Sequence, residues 1–129
     1  MRTMLAAFAL VSAPVATSFA QVASGAKIAF DKETHDYGNI KHGANGTSTF
    51  RFTNTGNAPL IIIRVTGNCG CVVPAWPKEP IAPGAFGEIT VKYDTKRLGP
   101  ISKSATVTSN AVNEGSKVIR IKGTVEPSP

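Results

Sequence analysis

From Ile28 onward, apolar and polar residues alternate with a period of two, in short runs bounded by Gly, Pro and Asn. No stretch keeps apolar residues at helical spacing for more than a turn, so the pattern predicts strands throughout. Lys27 to Phe30 and His35 to Ile40 read as an opening edge, and Gly43 to Gly46 as a turn. Thr47 to Thr53 puts Phe50 and Phe52 on a core face, with Thr49, Arg51 and Thr53 on a wet one. After the breakers Asn54, Gly56 and Asn57, Leu60 to Val65 is more fully apolar and is expected to be the most buried strand. Prolines in the stretch Pro74 to Gly84 remove the amide donors a central strand needs, which predicts a loop crossing between sheets, with Trp76 capping an open end of the core. Glu88 to Tyr93 points Ile89, Val91 and Tyr93 inward. Beyond the breaker Leu98-Gly99-Pro100, Lys103 to Ser109 and Val118 to Val125 complete the pattern, ahead of a frayed tail at Glu126 to Pro129.

These runs predict an all-β, immunoglobulin-like two-sheet sandwich of about seven antiparallel strands. A true antibody-type domain is excluded, because its two cysteines sit on different sheets, whereas Cys69 and Cys71 are two residues apart.

The amino-terminal residues follow a different pattern. Arg2 precedes an apolar run from Met4 through Val15, broken by Ser12 and Pro14, and Ser18 and Ala20 flank Phe19 as signal peptidase requires. Residues 1–20 are therefore expected to be a signal peptide cleaved near Ala20, with export to the periplasm or beyond. The run is too short and broken to span a bilayer, so no transmembrane segment is expected in the mature chain. Residues 21–129 are expected to form a single domain with a core of about 27–125, a size that can bury enough surface to fold without disulfides.

Without Arg2, 13 basic and 8 acidic residues remain, a net charge of +5. The cations are scattered one or two per strand, as at Lys41, Arg51, Arg64, Lys92 and Arg120, with no basic cluster interleaved with aromatics. Nucleic acid is therefore not an expected partner. The acidic residues are equally dispersed, and no nucleophile elbow, carboxylate pair or phosphate-binding glycine loop is present, so the chain is expected not to be an enzyme.

The remaining candidate chemistry is Cys69-Gly70-Cys71. On an extended strand the two Cα atoms would lie roughly 6.6 Å apart, at the edge of disulfide geometry, and Gly70 could buckle the chain with backbone angles closed to other residues. In an oxidising compartment a small local disulfide is the default. Three alternatives stand beside it: copper(I) held between two thiolates, thiol–disulfide exchange, and a bond to another chain. No cofactor other than that copper is suggested. His35 and His42 lack the spacing that would place them on one ion and read as surface residues. Asn45-Gly46-Thr47 fits a glycosylation sequon but reads as a hairpin turn.

Taken together, several motifs resemble a bacterial family catalogued as domain of unknown function 1573, related to Hydin-like immunoglobulin-fold modules. The resemblance covers essentially the whole mature chain. It rests on His35-Asp36-Tyr37-Gly38-Asn39-Ile40, Phe50-Arg51-Phe52-Thr53-Asn54-Thr55-Gly56, Pro59-Leu60-Ile61-Ile62, the Cys69-Gly70-Cys71 element, Pro80-Ile81-Ala82-Pro83-Gly84 leading to Tyr93-Asp94, and Ile119 to Val125. It implies an exported immunoglobulin-like domain without established catalytic residues. One departure is local: such proteins often flank the cysteines with Ser or Thr, where this chain has Asn68 and Val72. The function expected is a non-catalytic binding or scaffold module of the cell envelope, with a protein or envelope component as partner. The alternative is a copper or thiol–disulfide redox protein acting through Cys69 and Cys71.

Overall fold

The structure, a computed structural model, describes residues 24–128, and the expected signal peptide at residues 1–20 lies outside them. Eight strands follow one another: β1 (Ile28–Phe30), β2 (Thr34–Lys41), β3 (Thr47–Asn54), β4 (Ile62–Gly67), β5 (Val72–Ala75), β6 (Phe86–Tyr93), β7 (Gly99–Ser109) and β8 (Ser116–Glu126). No helix occurs among the described residues. The strands form two four-stranded sheets, β1-β3-β6-β5 and β2-β8-β7-β4, packed face to face. The all-β sandwich is as predicted, with eight strands instead of seven. One pairing corrects the antiparallel expectation, because β2 runs parallel to β8.

The alternation in sequence becomes the core. Phe50, Phe52, Ile89 and Val91 from one sheet meet Ile101, Val107, Ile119, Ile121 and Val125 from the other, all of them buried. Each faces inward because its polar neighbours on the strand point to solvent, which fixes the register. Pro100, expected to break the chain, lies inside β7 opposite Thr124, beyond the last residue of β7 that pairs with β4, so its missing donor costs no ladder bond. Glu126 belongs to β8, and its carbonyl accepts from His42 N–H, so the tail begins one residue later than expected.

Three other expectations change. Lys27–Phe30 and His35–Ile40 are edges of two different sheets, not one opening edge. The most apolar run is not the most buried. It supplies β4, an edge strand, and Ile61 and Ile63 remain 42 % and 53 % exposed, with a bulge displacing Ile63. Finally, the Pro-rich segment does not cross between sheets: β5 and β6, which it joins, are neighbours in one sheet. Pro74 itself is in β5, at the sheet edge, where proline is tolerated. Trp76 packs half-buried against the core.

Tyr37 ties the sheets together. Its hydroxyl donates to the Gly46 carbonyl at 2.6 Å and lies 3.2 Å from Ser48 Oγ. The β2 bulge that delivers it sits over Gly123, where φ is +146° and a Cβ would come within 2.8 Å of the Gly38 carbonyl oxygen. Only glycine fits there.

Candidate functional site

The chain passes from one sheet to the other through Asn68 to Cys71, between β4 and β5. Cys69 and Cys71 are joined in a disulfide with their Cα atoms 5.3 Å apart, inside the usual range. Gly70 is not among the residues with positive φ, so the bridge closes without the special backbone angles expected of it. Cys71 is buried in the core, whereas Cys69 is half-buried. Asn68 anchors the crossing: its N–H donates to the Ser104 carbonyl at 3.0 Å and its side-chain oxygen accepts from Ser104 N–H at 3.3 Å. Both sulfurs are engaged, so copper(I) coordination would require reduction first.

Beside this turn opens a cleft of about 680 Å³, bounded by Gly43–Gly46, by Gly70, Cys71 and Val73, and by Lys92–Lys96. Its walls are sewn together through the backbone. Asp94 N–H donates to the Cys71 carbonyl at 2.9 Å, Tyr93 N–H to Gly46 at 2.9 Å, and Gly43 N–H to Thr95 at 3.2 Å. The Thr95 hydroxyl donates to the Ala44 carbonyl at 2.5 Å. At Asn45 the sequon reading yields to the turn: its side-chain oxygen accepts from Thr47 N–H at 3.0 Å, starting β3.

The four sheet edges differ in how their free backbone groups are treated. On β1, Ile28 turns its N–H and C=O away from β3, and the Asn113 carboxamide binds both at 3.0 Å, imitating a neighbouring strand. On β5, Asp94 N–H reaches Cys71, so by alternation Val73 faces β6 and Pro74 faces outward, where it has no N–H to offer. The start of β4 is overlaid by the β5–β6 connection, since Leu60 and Ile81 exchange backbone bonds at 2.9 and 2.8 Å. Farther along, a Cβ on Gly67 would meet the Val72 carbonyl oxygen at 2.8 Å, so the end of β4 runs close to β5, while the N–H groups of Val65 and Gly67 point away from β7 and find no partner among the described residues.

The β2 edge is different. Arg120 N–H donates to the Glu33 carbonyl at one end and His42 N–H to Glu126 at the other. With the register Thr34↔Arg120 and Asn39↔Thr124, this points the N–H groups of Thr34, Asp36, Asn39 and Lys41 away from β8. None of these four donates a hydrogen bond to any described residue. His35 and His42, expected at the surface and apart, are apart: His35 is half-buried near the start of β2, and His42 is exposed just past its end. Partial burial, then the Lys32 ammonium 2.7 Å from its Nδ1, hold the His35 pKa below its ordinary value against the opposing pull of Asp36. Among the described residues no group of three or more His, Cys, Asp and Glu side chains could hold a metal, and no helix is long and apolar enough to cross a membrane.

The roles of Asn54, Asn110 and Asn113 were not legible as such. Asn54, a strand breaker by its sequence, is fully buried and its carboxamide makes four hydrogen bonds. The one available signal is an amide at or just past a strand end, which Asn54 and Asn110 carry and Asn113, inside the β7–β8 loop, does not.

Among solved structures, a protein of unknown function from Porphyromonas gingivalis W83 superimposes with a TM-score of 0.69 at 17 % identity, covering 79 % of this chain and 48 % of that one. The chain thus spans about half the length of that relative. The ASH/PapD-like domain 7 of human CEP192 gives 0.60 at 10 % identity, over 80 % of this chain and 87 % of that domain. The periplasmic chaperone SfaE gives 0.53 at 13 % identity, over 79 % and 58 %. At such identities these likenesses speak for the fold alone. No curated protein matches the sequence. Residues 28–125, from the first residue of β1 to the last buried valine of β8, match the family described as Protein of unknown function (DUF1573), and the chain belongs to that family.

Proposed function

We propose that this chain is an exported, non-catalytic binding module of the cell envelope that takes a partner protein's strand along β2. The observation that carries the reading is the length of open edge: β1 is capped at Ile28 by Asn113, β5 turns Pro74 outward and the start of β4 is overlaid by the β5–β6 connection, while β2 presents four unpartnered N–H groups among the described residues. Strand addition uses such groups for affinity and the alternating side chains for specificity. The signal-peptide pattern of residues 1–20 supports export, and the likeness to a PapD-like domain and a periplasmic chaperone supports protein binding.

The test is in vivo photo-crosslinking from β2, with Thr34→Pro and Asn39→Pro as variants. Each removes an outward N–H without touching the β8 ladder. The expected result is loss of one discrete crosslinked species with the thermal midpoint retained. Crosslinks that persist in both folded variants overturn the reading.

A further inference from the structure

A glycine that the fold does not require stands at the mouth of the cleft. Gly70 has no positive φ, and a Cβ built on it meets nothing within 4 Å. Sterically, any small residue would serve between the cysteines. Gly70 and Cys71 line one side of the cleft and Lys92–Lys96 another, and no atom stands where a Cβ on Gly70 would be.

The chemistry around that space is two-sided. On the apolar side are Val73, 61 % exposed, and the buried Cys71 and Tyr93. On the polar side the charged lining residues are Lys92, Lys96 and Asp94. One oxygen of Asp94 is engaged in its own loop, accepting from Lys96 N–H at 3.1 Å, and against its single negative charge the lining sets the two cations Lys92 and Lys96, a net of +1. Lys92 and Val73 are cross-strand partners on the same face, so a cation and an apolar side chain stand next to each other. Because the walls are already joined by backbone hydrogen bonds, little ordering remains to oppose binding.

We propose that this cleft is a binding site for an organic carboxylate carrying an apolar group, the carboxylate between Lys92 and Lys96 and the apolar group against Val73 with its chain passing over Gly70. The site is separate from the β2 edge and stands whether or not a strand binds there. The carboxylate belongs either to a free small molecule or to the end of a peptide.

The experiment is a titration of the mature, oxidised protein followed by amide NMR, with N-acetyl-leucine, N-acetyl-leucinamide, inorganic phosphate and an acetylated hexapeptide ending in leucine as probes. N-acetyl-leucine is expected to shift Gly46, Gly70, Val73 and Asp94–Lys96, and the uncharged amide is not. Gly70→Leu, folded because its Cβ meets open space, is expected to abolish the shifts. The Lys92→Gln/Lys96→Gln pair should weaken binding about tenfold. Tighter binding of the hexapeptide assigns the site to a chain end, and equal binding to a free molecule. Equal shifts from the amide, equal shifts from phosphate alone, or undiminished binding to folded Gly70→Leu each overturn the proposal.

Discussion

Four backbone groups converge on the Asn54 carboxamide: the N–H groups of Lys27 and Gly56 and the carbonyls of Ala58 and Ile81. Asn54→Ala strands three of them with little water nearby, the Ile81 carbonyl keeping the Leu60 N–H, and each such group costs on the order of 1–3 kcal/mol. The expected loss is about 3 kcal/mol in urea unfolding, part of the gap being relieved by relaxation; a loss below about 1 kcal/mol would contradict this reading. Tyr37 yields a pH prediction. Burial, chiefly, with a smaller push from Tyr93 and against the Ser48 hydrogen bond, raises its pKa above 10.0. A raised folded pKa means that its contribution is complete below pH 10 and is lost as the pH climbs through the folded value. Tyr37→Phe should therefore cost about 1 kcal/mol near neutrality and make alkaline unfolding less steep. At this scale the sequence was readable where side chains alternate, as at Phe50 and Phe52. It was silent where an amide serves distant backbone, because a carboxamide carries no periodicity.

At the level of strands, the period-two pattern told faces but not neighbours. The parallel pairing of β2 with β8 and the edge position of β4 both follow from which strands meet, and alternation contains no information about that. A run such as Leu60-Ile61-Ile62-Ile63 looks central because isoleucines suit any buried sheet, yet here it flanks a bulge at the rim. Pro74 supplies the prediction for this scale. Pro74→Thr restores an outward N–H on β5 beside the exposed Val73, recreating an attractive edge. Sedimentation should show concentration-dependent association that the parent lacks, and a monomer at all concentrations would show that Pro74 does not guard the edge. On β2, His35 is held toward its neutral form, so its contribution is present above pH 6.5 and declines as acid titrates it. The amides of His35 and Tyr37, which face β8, should lose protection below that pH once the intrinsic pH dependence of exchange is divided out, and His35→Gln should remove the effect.

For the whole molecule, the disulfide is a minor anchor. It closes a loop of three residues, and chain-entropy bookkeeping gives such a loop about 1.6 kcal/mol. Cys69→Ser/Cys71→Ser should therefore fold, with a loss of that order and an unchanged urea m-value. Failure to fold would mean that the crossing between sheets depends on the bridge. The sandwich was recognisable from the sequence because the core is built from both sheets' alternating strands. The cleft was not, because backbone atoms of three separate turns compose it. Those turns sit at one pole, with the asparagine caps at the other, and the described chain enters near Gly25 beside Val112 and leaves at Ser128 beside His42. Its two ends therefore emerge from opposite poles. Copies joined in tandem would extend as a rod instead of folding back in pairs, and a bulky fluorophore appended at the carboxyl end would shade the cleft while one at the amino end would leave it open.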